Sequence, residues 1–330
     1  MVLVSVVRAR TPAKVNLSLL VGPKAPSGYH EVFTVLAPID LYDEVEFALR
    51  VHPARGVRSN ARGLDVTAAG PSGSAPERRG NLEVECEVAP GEANLVARAL
   101  HALERETGYR FTGRVAVRKG IPTGAGLGGG SSDAALALLV GAQLIAEAGG
   151  PRLGREELRR LARALGADVA FFLDPVPSLG RGRGEILEQL ALPALWLALV
   201  MGDTPLSTRK VYEVFDELAP PAHFAAFAGR VGQAEQAWRL AREASAVADL
   251  LVNDLEVAAL TLLPSLREVR GAIVREGARG ALMSGSGSAL YGLCASEEEA
   301  AEVAERLRAR WGLRAQLVKV LSEGSPGGAA

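Results

Sequence analysis

Residues Pro122 to Ala135 read PTGAGLGGGSSDAA, with glycines crowded together, then two serines, then small and apolar residues. No other stretch restricts the fold as much. Glycine has no Cβ, so its neighbouring amides can turn inward and approach an anion closely. A helix that starts straight after such a turn adds the positive end of its dipole. Ser131 and Ser132 add hydroxyl donors, and Ser132 or Asp133 can cap the helix. A linker would run into more linker, whereas this loop runs into a long apolar helix, expected from about Ser132 to Ala148. We therefore read Pro122, Thr123, Gly124, Ala125, Gly126, Leu127, Gly128, Gly129 and Gly130, with the two serines, as a phosphate cradle. Lys119, just upstream, can supply a compact positive charge, and a branched side chain at Gly129 is expected to crowd a bound phosphate.

The cradle is not a Walker loop, because no Gly-Lys-Ser/Thr follows it. Gly124, Gly126 and Gly129 fit G-x-G-x-x-G, but a Rossmann unit needs a buried parallel strand with an acidic end next. Here another helix follows, GREELRRLARALG, and then GADVAFFL. The net charge of -1 over 330 residues argues against a nucleic-acid or membrane-surface binder, so the anion site is local. No stretch reads as long and apolar enough to span a bilayer. Cys86 and Cys294 are the only cysteines and lie far apart, which fits a reduced cytoplasmic protein.

Residues 2–7 and the alternating segment Val15 to Leu19 read as strands, the second with Asn16 and Ser18 on a polar face. A turn (Gly22–His30), β-rich sequence to Leu49 and a Gly/Ser/Pro/Arg loop insertion over 53–80 follow. NLEVECEV is expected to be a strand, EANLVARALHALERETG a helix stopped at Gly108, and GRVAVRKGIP a short strand. In the second half, WLALVMG reads as a buried strand and STRKVYEVFDEL as a capped helix. Residues 244–277 read as mostly helix, ARGALMSGSGSALYGLCA as strand, tight turn and strand, and the segments beyond as helix, strand and a frayed tail over 322–330. The fold class is α+β with a seam near residues 175–195.

Two glycine-rich stretches now support a resemblance. PTGAGLGGGSSDAA resembles the second motif of the GHMP kinases, and ALMSGSGSALYGL (Ala281–Leu293) their third. AKVNLSLLVGPKAPSGYHEV, IDLYDEV, NLVARAL, LGADVAFFL, STRKVY and VNDLE are similar to one branch of that superfamily, the 4-diphosphocytidyl-2-C-methyl-D-erythritol kinases. The similarity runs collinearly along the chain apart from the 53–80 segment and the tail. The chain departs at Ser27, where an acidic residue usually precedes GYH, and at Ala170, where proline is common; neither removes a catalytic group.

The resemblance implies a two-domain GHMP kinase fold, with a ribosomal protein S5 domain 2-like unit over 1–187 and a ferredoxin-like unit over 188–330. It implies ATP and Mg2+, and phosphorylation of the 2-hydroxyl of 4-diphosphocytidyl-2-C-methyl-D-erythritol in the non-mevalonate isoprenoid pathway, by a monomer or homodimer. Asp168 interrupts an apolar run and on its residues alone reads as a helix cap as readily as a base; the resemblance makes it the catalytic base and places Lys14 beside it. Asn16 shares a strand face with Lys14 and can bond the substrate. Tyr29 and His30 are implied to hold the cytosine, with Tyr212 closing its other face. Ser284, Gly285, Ser286 and Gly287 are implied to line the site, Asn94 to approach the adenine or cap its helix, and Ser132 to be a candidate magnesium ligand. Two alternatives stay open: a kinase for another small alcohol such as homoserine or mevalonate, and a nucleotide-binding protein without turnover.

Overall fold

The computed structural model describes residues 5–54, 82–86, 94–202 and 204–322. Residues 55–80 of the expected insertion and 323–330 of the expected tail lie outside the described residues.

One long ribbon organises the chain. Strand β1 (Ser5–Lys24) and strand β2 (His30–Pro53) pair antiparallel along nearly their whole lengths. The sequence split β1 in two, but the strand continues through Pro12; its register slips between Pro12 and Ala13, where proline withholds a backbone donor. The ribbon turns at Gly28, whose φ of 83° favours glycine. A second slip between Asn16 and Ser18 resets the alternation, so that Leu19 and not Ser18 joins Lys14 and Asn16 on the cleft face. The polar face expected of Asn16 and Ser18 is therefore divided by the bulge.

Strand β3 (Leu82–Cys86), strand β4 (Tyr109–Arg118), β2, β1 and strand β8 (Val252–Asn253) lie in that order. Strands β5 (Ser178–Arg181) and β6 (Ile186–Gln189) complete the seven-stranded sheet alongside β2. Helices α1 (Leu95–Thr107), α2 (Gly129–Glu147), α3 (Arg155–Leu165) and α4 (Ala167–Phe171) share one core with Val45, Phe47 and Leu49 of β2, and α2 lies against that strand. Helix α1 stops at Gly108 in a left-handed cap, φ 72°, as its sequence suggests.

Helix α2 corrects two sequence readings. By length and composition it is apolar enough to cross a membrane, with a mean hydropathy of 1.3. Yet 61% of that window is buried inside the protein, because α2 is the central helix between α1 and the β1–β2 ribbon. It also starts earlier than Ser132: Gly128, at φ 74°, caps it without a side-chain bond, and Ser132 and Asp133 sit inside its first turns.

The second sheet runs β11-β7-β10-β9, built from β7 (Trp196–Val200), β9 (Gly280–Met283), β10 (Leu290–Cys294) and β11 (Ala315–Lys319), all antiparallel. With the helices between β7 and β9, and the helix Glu297–Trp311 between β10 and β11, this is the ferredoxin-like β-α-β-β-α-β order. That last helix carries Glu297–Glu299 at its start and Arg308 and Arg310 at its end, as its dipole favours. The stretch read as mostly helix is broken by β8, which leaves the second half to pair parallel with Ser18 and Leu19 of β1.

Alternation along β2 explains how the halves join. Phe33, Val35, Ala37 and Ile39 pack against Leu197, Leu199 and Tyr291 of the second sheet. Val32, Thr34 and Leu36 point the other way and line a cleft.

Candidate active site

The cleft encloses about 550 Å³ between the ribbon, the glycine loop and the second glycine turn. Three consecutive carbonyls of the loop are tied away from it. Ala125 O accepts from Ala289 N at 3.1 Å, and Leu127 O from Lys14 N at 2.9 Å. Gly126 O accepts from Ser284 Oγ at 3.0 Å. The peptide unit is planar and trans, so the next residue's N–H points opposite to each bonded carbonyl. The amides of Gly126, Leu127 and Gly128 are thereby turned into the cleft, beside the N-terminus of α2. Gly124, Gly126 and Gly128 have φ of 68°, 77° and 74°, which only glycine adopts readily.

The individual glycines do different work. A Cβ on Gly129, which lines the cleft, would sit 2.9 Å from Ile121 Cγ2 and 3.0 Å from Asp43 Oδ2, so a side chain there meets protein at once. Gly130 lines the cleft, and a Cβ there would meet only Leu95 Cδ1, at 3.9 Å. Pro122, Thr123 and Ser131 line the cleft. Ser132, 2% exposed, does not. Asn94 is the cap expected of it, its side chain accepting from Val96 N at 2.9 Å to start α1, and it also lines the cleft.

At the base of the loop lies a largely buried ion cluster, of which Lys119 and Asp133 line the cleft. Lys119 Nζ bonds Asp43 and also Asp133 Oδ2, the latter at 3.1 Å. Asp43 Oδ1 accepts from the amides of Gly120 and Ile121, each at 2.8 Å, which fixes the start of the loop. Thr11 donates to Asp133 Oδ1 at 2.8 Å. Burial pulls Lys119 down, but the two carboxylates more than reverse it, so its ammonium titrates above the ordinary value. Burial raises Asp133, Lys119 opposes it and the charge of Asp43 adds to it, leaving the carboxyl at about 6 against an ordinary 3.8. In that interval the folded chain holds a proton that the unfolded chain has released, so this group's contribution to stability falls as pH rises from 3.8 towards about 6. Denaturation midpoints over this window should decline less with pH in Asp133→Asn than in the native chain; parallel curves would contradict the assignment.

Beside the loop, Lys14 and Asp168 meet in the same cleft. Lys14 is 3% exposed, and its Nζ lies 3.7 Å from Asp168 Oδ2 and donates to Asn16 Oδ1 at 2.5 Å. Asp168 sits in the first turn of α4, after Gly166, and is not the cap its sequence allowed. Asn16 is fully engaged: Nδ2 donates to Thr34 Oγ1 at 2.8 Å, N to Ser284 Oγ at 3.3 Å, and its carbonyl accepts from Tyr291 at 2.9 Å. Gly285 and Ser286 line the cleft. The turn they belong to is held by Asn253, whose Nδ2 donates to Met283 O and Gly285 O at 2.9 and 2.8 Å. Gly287, at φ 83°, completes that turn beneath Ser284 without lining the cleft.

The aromatic residues divide. Tyr212 lines the cleft, and burial, with the charge of Asp168, pushes its phenol up to about 12, so it remains a donor at neutral pH. His30 is buried behind it, ring centroids 5.4 Å apart, with Nδ1 2.8 Å from Gly22 O. Asp216 Oδ1 lies 2.9 Å from His30 Nε2, off the line of a hydrogen bond. Tyr29 is 59% exposed at the ribbon's turn, under Arg183 at 5.2 Å, and it is Arg183 that lines the cleft.

The family described as GHMP kinases N terminal domain matches residues 94–174, and GHMP kinases C terminal matches 224–313. The 4-diphosphocytidyl-2-C-methyl-D-erythritol kinase of Geobacter metallireducens is 36% identical over 299 residues, covering 90% of this chain and 92% of that one. That of Thermobifida fusca is 38% identical over 306 residues, covering 92% of each. The chain belongs to the 4-diphosphocytidyl-2-C-methyl-D-erythritol kinase family of GHMP kinases. A crystal structure of 4-(cytidine 5'-diphospho)-2C-methyl-D-erythritol kinase, 33% identical, superposes with a TM-score of 0.65 over 95% of this chain and 98% of that one. The L. major mevalonate kinase, 17% identical with a TM-score of 0.66 over 96% of this chain and 97% of that one, shares the fold.

For a GHMP kinase the cleft is spare in metal ligands. No group of three or more His, Cys, Asp or Glu side chains able to hold a metal occurs among the described residues. Asp133 is committed to Lys119 and Thr11, and the Ser132 hydroxyl is out of the cleft. The residues present do not form a protein cage for Mg2+. Sequence reasoning named no role for Asp43, Thr34, Arg183 or Asn253, and for Asp133 only that of a helix cap. Asp43 and Asn253 lay inside stretches already singled out, IDLYDEV and VNDLE, and a carboxylate or amide within a glycine-turn neighbourhood was the available signal.

Proposed function

We propose that this kinase transfers the γ-phosphoryl group of ATP to the 2-hydroxyl of 4-diphosphocytidyl-2-C-methyl-D-erythritol, giving the 2-phosphate and ADP, in the cytoplasm, as a step of non-mevalonate isoprenoid precursor synthesis. The observation that carries the reading is the Lys14–Asp168 pair, 3.7 Å apart, in the same cleft as the inward-turned loop amides. The amides of Gly126 to Gly128 and the start of α2 receive the triphosphate as fixed dipoles that need no reorganisation. Mg2+, if carried by the nucleotide itself, would supply charge neutralisation on the phosphates. Asp168 accepts the proton of the attacking hydroxyl, and the Lys14 ammonium beside it polarises the hydroxyl oxygen.

Tyr212, supported from behind by His30 and Phe224, offers a ring face to the cytosine. Arg183, on the β5–β6 turn and stacked on Tyr29, is the cation suited to the acceptor's diphosphate. Arg183→Ala should raise the KM for the acceptor roughly 10-fold, the cost of one charge-assisted hydrogen bond, and leave the KM for ATP unchanged. An acceptor KM that does not move would remove Arg183 from the site.

The reading as a whole is tested with γ-labelled ATP and purified protein. Label should move to 4-diphosphocytidyl-2-C-methyl-D-erythritol. Transfer only to homoserine, mevalonate or another alcohol would reject the acceptor, and ATP binding without transfer to any alcohol would make the chain a nucleotide-binding protein.

A further inference from the structure

We infer that Thr34 is a positioning residue for phosphoryl transfer, aiming the Lys14 ammonium through the side chain of Asn16. Asn16 pairs with Leu36 across the ribbon, and Thr34 stands two residues before Leu36, on the same face. The bulge between Asn16 and Ser18 brings Thr34 level with the Ser18 carbonyl.

The direction of each hydrogen bond follows from what each atom can do. The Ser18 carbonyl only accepts, so the Thr34 hydroxyl proton, 2.7 Å away, is committed to it. Thr34 Oγ1 then has only lone pairs to offer, and the Asn16 group facing it at 2.8 Å must be the NH2. That fixes the amide: Oδ1, not Nδ2, faces the Lys14 ammonium, at 2.5 Å. Lys14, Asn16 and Thr34 are all buried, at 3%, 4% and 3% exposure, so water does not substitute for a lost partner. The other bonds of Asn16 are made by its backbone, to Ser284 and from Tyr291, and do not set the side-chain amide. Without the Thr34 hydroxyl, Asn16 is free to turn its NH2 toward Lys14. Two donors then oppose each other, and the ammonium is displaced from the place where Asp168 and the acceptor hydroxyl need it.

This rests on the proposed role of Lys14 beside the reacting hydroxyl. Thr34→Val keeps both branches of the side chain, including the methyl packed on Gly180, and removes only the hydroxyl. We expect its kcat to fall roughly 10- to 100-fold, the scale of an ångström-size misplacement, with both KM values within about twofold of native. Thr34→Ser should restore kcat. In a Lys14→Ala background, Thr34→Val should cost nothing further, because its effect passes through Lys14. An unchanged kcat, an altered KM with kcat intact, a Thr34→Ser variant as slow as Thr34→Val, or additive losses with Lys14→Ala would each overturn the relay. Thermal denaturation checks folding, and Thr34→Ala replaces Thr34→Val in every arm if the latter does not fold. The measurement is made on whichever acceptor the native chain phosphorylates, so a wrong acceptor overturns the functional reading and leaves this test intact. A native chain that phosphorylates no alcohol overturns both.

Discussion

Asp168→Asn is expected to bind ATP as tightly as the native chain and to turn over roughly 10²-fold more slowly or worse. The substitution is nearly isosteric, and Asp168 sits in the first turn of α4 with no loop amide depending on it. What changes is proton affinity: an amide oxygen cannot take the hydroxyl proton, and Lys14 loses the carboxylate 3.7 Å from its Nζ. On the proposed reading ATP is gripped by the amides of the loop between β4 and α2 and not by this carboxylate, so its affinity is separable from the chemistry. Calorimetry with ATP and a steady-state assay with labelled phosphate read the two sides independently. Near-native turnover would remove Asp168 from the base role. A loss of ATP affinity of the same size as the loss of rate would show that the carboxylate shapes the nucleotide site instead.

The parts of the cleft were unequally legible in the sequence. The glycine loop could be read because one chemical property, the missing Cβ, recurs within a few residues and a helix follows at once. Lys14 and Asp168 could not be paired from spacing. They are separated by more than a hundred residues, and only the antiparallel ribbon and the placement of α4 bring them together. Cap geometry was misjudged for a physical reason. Ser132 and Asp133 are good caps by type, but Gly128 in the left-handed region starts the helix earlier and turns both side chains inward. The β-bulge after Asn16 was invisible because Val15, Leu17 and Leu19 alternate without a break in the sequence. Asp43 and Thr34 escaped notice for a related reason. Each acts through a partner from a distant segment, Lys119 or Asn16, and on its own strand each reads as an ordinary polar residue.

A pair of glycine substitutions separates the loop's shape from its clearance. Gly126→Ala should both destabilise the protein, by roughly 1–3 kcal/mol, and weaken ATP binding by roughly 10-fold or more. At φ 77° an alanine is strained, and its Cβ would lie 2.1 Å from Ser284 O and 3.2 Å from Gly287 N. Relief requires the loop and the second glycine turn to part. That breaks the Ser284–Gly126 bond and with it the carbonyl alignment that turns the amides inward. Gly130→Val should weaken ATP to a similar degree but leave stability within about 0.5 kcal/mol of native, since its added atoms enter open cleft and not protein. Thermal denaturation without ligand distinguishes the two, and calorimetry measures the affinity. If Gly130→Val binds ATP normally, the nucleotide does not lie over the start of α2. If Gly126→Ala binds normally despite its lower stability, the bonded carbonyls behind the loop do not govern how its amides meet the phosphates.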